Sequence, residues 1–189
     1  MKKTNYLVIG LLAFVSCTTR SNEFSAYISK IETLPLPITV RTLGNSLHVE
    51  ETKIDQKLFK KFKHIYADNV SGKIYETETG VGILYIVYGD AQTPVLVTYD
   101  NNGHKIDSLN LFRNASGFSP TAETFVTVTL YADRTIHETD STVTEAPMGN
   151  QDNTLSEQKR LKIDSTVFTV NETGKIIITQ TTGNRDASR

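Results

Sequence analysis

The chain has 189 residues, 38% of them hydrophobic and 22% charged, with a formal net charge of −1. That is material for one domain with a single core, and the balance turns more acidic once a segment carrying Lys2 and Lys3 is removed. Such a chain lacks the concentrated basic face that phosphate neutralisation requires, so nucleic acid is excluded as a partner class. Tryptophan is absent and cysteine occurs once, which leaves Tyr and Phe as the aromatic surfaces and rules out an intrachain disulfide.

The N-terminus carries the strongest functional signal. Lys2-Lys3 is followed by an apolar run from Tyr6 to Val15 and then by Ser16-Cys17. A run this short falls below the roughly 20 residues a spanning helix needs and reads as a signal peptide. A small residue before Cys at the end of such a run resembles the lipobox of bacterial lipoproteins, matched here by Phe14-Val15-Ser16-Cys17. The resemblance implies a signal peptide over 1–16, lipidation of Cys17 and a tether over 17–23. The alternative is an ordinary secretory signal that contains a Cys. Acyl chains on Cys17 would hold the body at a membrane, each buried methylene contributing about 0.8 kcal/mol, with no segment crossing it.

Beyond the tether, Phe24, Tyr27, Ile28 and Ile31 recur at helical spacing, with Ser21 or Asn22 as N-cap. Leu34-Pro35-Leu36-Pro37 ends that helix and predicts an extended passage into a strand at Ile38 to Val40. Gly44-Asn45 signals a turn, with Leu47 to Glu50 as a partner strand. A second helix is expected from Ile54 to Ile65, where Ile54, Leu58, Phe62 and Ile65 form one stripe and Thr52 with Asp55 approximates a capping box. Its lysines suit a solvated face; contact with anionic head groups is the alternative.

From Gly72 onward strand follows strand: 73–77, 81–88, 94–99, 105–112, 123–131, 135–144, 160–170 and 175–180. Ile83 to Tyr88 is apolar on both faces of the pleat, the pattern of an interior strand covered on two sides. Asp100-Asn101-Asn102-Gly103 reads as a hairpin turn in which Asn102-Gly103 tolerates positive φ. A weak echo links Thr98 to Ile106 with Thr169 to Ile177, as expected where two hairpins need the same backbone angles; duplication is the other explanation. The stretch 146–158 reads as a loop, 24–180 as a single β-rich domain and 181–189 as a flexible tail. The expected fold is mainly β, an antiparallel meander forming a sandwich or roll, with one or two short helices near the N-terminus.

No local motif carries catalytic chemistry. His48, His64, His104 and His137 are scattered, and neither a nucleophile elbow, a phosphate loop nor a dinucleotide fingerprint occurs. No catalytic residue, metal site or cofactor is therefore predicted; paired carboxylates for glycoside hydrolysis depend on a separation in space that sequence does not reveal. Tyr85, Tyr88, Tyr99 and Tyr131 are candidate contact residues, because tyrosine joins apolar area to a hydrogen-bonding tip; core packing is their commoner fate. Asp107-Ser108-Leu109, Asp140-Ser141-Thr142 and Asp164-Ser165-Thr166 resemble the O-glycosylation acceptor of some Gram-negative envelope proteins, which makes Ser108, Ser141 and Ser165 candidate sites; solvent-facing strand positions explain them equally.

The lipobox, short helix, Leu-Pro-Leu-Pro passage and strands containing Thr98 to Leu109 together resemble uncharacterised lipoproteins of Gram-negative envelopes. That resemblance implies a place in the outer membrane, cell surface or periplasm, with the membrane as partner through Cys17 lipid, and no catalytic residues. The expected function is a non-catalytic binding or assembly module with an envelope protein or glycan as partner. Two other readings remain: an immunity or inhibitor lipoprotein that blocks a toxin or hydrolase, and a glycan-acting hydrolase.

Overall fold

The computed structural model describes residues 22–42, 54–89, 92–113, 122–145, 159–183 and 187–188. Cys17, His48, the expected strand at Leu47 to Glu50 and the loop at 146–158 lie outside them. The chain is mainly β, as its strand periodicity predicts. Two seven-residue helices, α1 (Asn22–Ile28) and α2 (Gln56–Phe62), accompany β1 (Ile38–Arg41), β2 (Asn69–Glu76), β3 (Gly80–Tyr88), β4 (Gln92–Asp100), β5 (Lys105–Asn110), β6 (Ala122–Leu130), β7 (Thr135–Glu145), β8 (Lys159–Val170), β9 (Ile176–Thr182) and β10 (Ala187–Ser188).

The strands form two antiparallel sheets. The first has the order β2-β3-β4-β5; the second runs β1-β6-β7-β8, with β9 and β10 both pairing with β8. Pleat alternation then decides the layers. Val81, Ile83 and Tyr85 of β3 join Val95, Val97 and Tyr99 of β4 on the face that meets the helices. Leu84 and Leu96 point the other way, against Val126, Val128 and Leu130 of the second sheet. The result is three layers: helices, four-stranded sheet, second sheet. This is why β3 and β4 are apolar on both faces, each fully buried large side chain contributing about 1.5–3 kcal/mol.

The helices are held by this packing, since seven residues are far too few to persist alone. Phe24 and Tyr27 of α1 meet Phe62 of α2 with ring centroids 5.1 and 5.4 Å apart, and Lys61 forms an ion pair with Glu23 across the helices. Asp55 is the N-cap of α2, its Oδ1 accepting the Lys57 and Leu58 amides at 2.8 and 3.1 Å. The helix stops before Ile65, which is 75% exposed and not on the buried stripe. The backbone turns extended at Lys63, and the Lys63 Nζ then donates to the Ala67 carbonyl, so the chain leaves the helix one turn before the apolar spacing ends.

The Leu-Pro passage is not extended throughout: it bends at Leu36 and Pro37, whose peptide bond is cis, and only its start lies along the β2 edge. The Leu34 amide donates to the Lys73 carbonyl and the Lys73 amide to the Glu32 carbonyl. At the other end of the chain the expected tail is partly strand. β9 continues to Thr182, and Ala187–Ser188 pairs with Leu161 and Arg160. With twelve residues β8 is longer than the paired part of β9, so its remaining edge is available to the residues that follow.

Three hairpin turns share one backbone path. At β4–β5 the Gly103 amide donates to the Asp100 carbonyl and the Asp100 amide to the His104 carbonyl; at β8–β9 Gly174, Asn171 and Lys175 repeat the pattern. Gly103 and Gly174 have φ of 84° and 80°, whereas Asn102 does not adopt positive φ, so the first turn uses one left-handed residue and not two. Asp100 Oδ1 and Asn171 Oδ1 each accept amides two and four residues on. The echo between these segments is this turn chemistry. At β6–β7 the same path runs through Tyr131, Arg134 and Thr135, and there the left-handed residue is Arg134, φ 68°.

A Cβ at Gly103 would lie 2.8 Å from the rings of Phe24 and Phe62, while one at Gly174 would meet the flexible end of Ile106. Gly103→Ala is therefore expected to destabilise by about 1–3 kcal/mol, and by more than Gly174→Ala. Urea midpoints of the two variants check the order.

Candidate functional site

Two of the four candidate contact tyrosines do not face solvent. Tyr85 is 0% and Tyr99 3% exposed, because their positions on β3 and β4 fall on the face covered by the helices. They form a buried hydroxyl chain. Tyr85 Oη lies 2.8 Å from Tyr27 Oη, and Tyr99 Oη lies 3.0 Å from Tyr85 Oη and donates to the Phe62 carbonyl at 2.7 Å. Burial pushes all three phenols above their ordinary pKa. Their role is to let large rings fill the helix–sheet layer with their polar tips satisfied. Tyr88 is 46% exposed at the end of β3, its backbone amide donating to Asp68 and its hydroxyl accepting from Asn69. Tyr131 is half-buried, with the His137 ring 4.9 Å away.

Ser108, Ser141 and Ser165 are half-buried positions within β5, β7 and β8. Ser141 and Ser165 share the outer face of the second sheet, opposite to that of Phe168, where Ser165 pairs with Thr139. The described histidines stay apart. The His64 Nδ1 is buried without a hydrogen-bond partner, His104 bonds Asp100 at 2.9 Å, and the His137 ring lies tilted against Tyr131. Among the described residues no three His, Asp, Glu or Cys side chains come together as a metal site.

Pairing register brings together carboxylates that sequence spacing keeps apart. Glu138 and Asp140 of β7 and Asp164 of β8 lie on the inner face of the second sheet, with Asp140 directly opposite Asp164. Both ends of this row are neutralised. Arg113 reaches in from the end of β5, with Nη2 2.8 Å and Nε 3.3 Å from the Glu138 carboxylate and its guanidinium 4.6 Å above the Phe168 ring; Lys162 pairs with Asp164 at 2.7 Å. A buried carboxylate is tolerated when a cation meets it with good geometry, so the Arg113–Glu138 pair fixes how the first sheet's exit crosses the second.

At the end of the sandwich where the hairpins gather, a shallow cleft opens to solvent. Tyr75, Arg134, Asn171 and Glu172 are among its walls. The Arg134 guanidinium lies 5.8 Å from the centroid of the Tyr75 ring. Burial pushes the Tyr75 phenol up to about 12, partly offset by Arg134. The ring rests on Gly82, where a Cβ would come within 2.4 Å of it. The β8–β9 hairpin forms one wall and is clamped to the first sheet. Thr98 Oγ1 donates to the Gly174 carbonyl at 2.7 Å, and the Ile176 amide donates to Asp107 Oδ2 at 3.1 Å.

The same hairpin leads into the outer edge of the second sheet. Within β9, Ile177 and Ile178 are 45% and 59% exposed, and from Ile176 to Thr182 no charge or proline interrupts the strand. Neither Arg134 nor this edge was among the residues singled out by sequence. The signal for Arg134 is an absence, a three-residue turn at Ala132-Asp133-Arg134 without the glycine its two counterparts contain. No family model, curated protein or solved structure matches this chain.

Tyr85→Phe removes the only described partner of the Tyr27 hydroxyl, whereas Tyr27→Phe leaves Tyr85 bonded to Tyr99. Tyr85→Phe is therefore expected to cost about 1–3 kcal/mol and more than Tyr27→Phe. Because these phenols keep their protons in the folded state, their contribution is complete below the unfolded tyrosine pKa near about 10 and declines as pH rises beyond it. Urea midpoints measured on either side of that pH should fall on the alkaline side, and less steeply in Tyr85→Phe.

Proposed function

We propose that the protein is a lipid-anchored lipoprotein of a bacterial envelope and acts as a non-catalytic binding module that accepts an extended strand of a partner protein along β9. The anchoring half rests on Phe14-Val15-Ser16-Cys17. The binding half rests on one observation, the difference between β9 and the other sheet edges. The β2 edge carries Lys73 and Glu76 and is covered by residues 32–34. The β5 edge carries Lys105 and Asp107, and Asp107 is engaged by the β9 hairpin. β1 is four residues long and ends in Arg41. These are the ordinary devices that keep strand edges from pairing with other chains. β9 has one such device, a bulge between its pairings with Val167 and Phe168, and is otherwise uncharged, rich in β-branched residues and, among the described residues, unpaired on its outer edge. Strand addition takes its affinity from main-chain hydrogen bonds and its specificity from alternate side chains, for which Ile177 and Ile178 on opposite faces supply apolar contact.

The test uses the full-length lipidated chain. Cys17→Ala is expected to leave the membrane fraction, and intact mass should show acylation of the wild type alone. Cross-linking in native membranes should yield one stoichiometric partner. Ile178→Lys, at an exposed position, should abolish that adduct with circular dichroism unchanged. Retention of the adduct in Ile178→Lys would refute the β9 reading; retention of Cys17→Ala in the membrane would refute the anchor.

A further inference from the structure

We infer that the cleft between the hairpin tips is a binding subsite for the carboxylate of an acidic sugar, with Arg134 as the anion-binding group. The argument starts from the comparison of the three turns. They follow one backbone path, and two of them place glycine at the left-handed position. A residue with a Cβ is disfavoured there, yet the β6–β7 turn holds Arg134 at φ 68°. The side chain it presents is not used to balance charge within the fold. Among the described residues the Arg134 guanidinium has no ion pair and no hydrogen bond; its recorded contact is the Tyr75 ring face. A guanidinium that lies over an aromatic ring and is in no ion pair keeps N–H groups available for a carboxylate, which a guanidinium matches in a two-pronged geometry.

The remaining walls narrow the ligand class. The Asn171 Oδ1 is occupied by the turn's own amides and the Thr173 hydroxyl, so Asn171 can offer its Nδ2 donor. Glu172 adds an acceptor, has no ion pair among the described residues and disfavours a group that carries only negative charge, such as phosphate. A carboxylate flanked by hydroxyl groups satisfies both signs: the anion goes to Arg134, and the hydroxyls donate to Glu172. The cleft is shallow and open to solvent, so it would engage the carboxylate end of a terminal residue and not enclose a whole ligand. This inference stands apart from strand binding at β9, because no residue of that strand lines the cleft.

Amide NMR titrations of the full chain with glucuronate, glucose and inorganic phosphate at constant ionic strength test it. Glucuronate should give saturable millimolar shifts centred on Arg134, Glu172 and Gly174; glucose should give none, and phosphate should bind more weakly. Arg134→Gly restores the residue of the sister turns, so its melting temperature should rise while glucuronate affinity falls by about tenfold or more, as expected for loss of a charge-assisted pair. The proposal is overturned if glucose or phosphate binds as well as glucuronate, or if no shifts saturate. It is equally overturned if Arg134→Gly keeps the affinity, or if its melting temperature falls, which would make Arg134 a structural residue.

Discussion

The structure depends on covering the first sheet on both faces. β3 and β4 carry large apolar side chains at consecutive positions, and alternation sends half of them each way. One face is closed by the second sheet, the other by two helices that would not persist alone in water. The helices are therefore a consequence of the sheet. Their Phe and Tyr side chains meet a surface that already presents Tyr85 and Tyr99, and the hydroxyl chain from Tyr27 to the Phe62 carbonyl satisfies the polar tips that this aromatic layer brings inside. Burying three phenols is acceptable because each finds a partner.

Turns set the register that makes this layering possible. Asp100 and Asn171 each use one side-chain oxygen to gather the amides of their own turn, which holds the hairpin by local bonds alone. The third turn shows what is required of the backbone and what is optional. Without glycine it still follows the same path, so the left-handed residue is dictated by the geometry, and its side chain is free to serve elsewhere.

Much of the fold was legible in the sequence. Strand positions follow from period-two alternation and turn residues, and the two-sided apolarity of Ile83 to Tyr88 points to an interior strand, although Tyr88 at its end is exposed. What was not legible is which residues face each other. Tyr85 and Tyr99 look like candidate contacts in a linear reading, and only the placement of the helices makes them core. Asp140 and Asp164 are 24 positions apart and meet through the β7–β8 register. Ile65 continues a helical stripe in spacing, but the backbone at Lys63 has already turned away. Arg134 was hidden for a different reason: periodicity finds elements, and its interest lies in a residue type that contradicts the local backbone preference.

One hairpin joins the Arg134 cleft to the β9 edge. Asn171 to Lys175 is clamped to the first sheet by Thr98, Asp107 and Ile106, which makes it a rigid post between the sheets. Its tip forms a wall of the Arg134 cleft, and its second strand continues as β9, whose outer edge is unpaired among the described residues. Clamping of this kind is poor use of polar contacts if the hairpin serves only as a connection, since a tight turn is stable on its own side-chain bonds. It is good use if the hairpin must hold a cleft wall and a strand edge at fixed positions, because binding loses least when the groups that bind are already ordered. Both proposed surfaces therefore follow from the same constraint, a second sheet whose last hairpin is tied to the first.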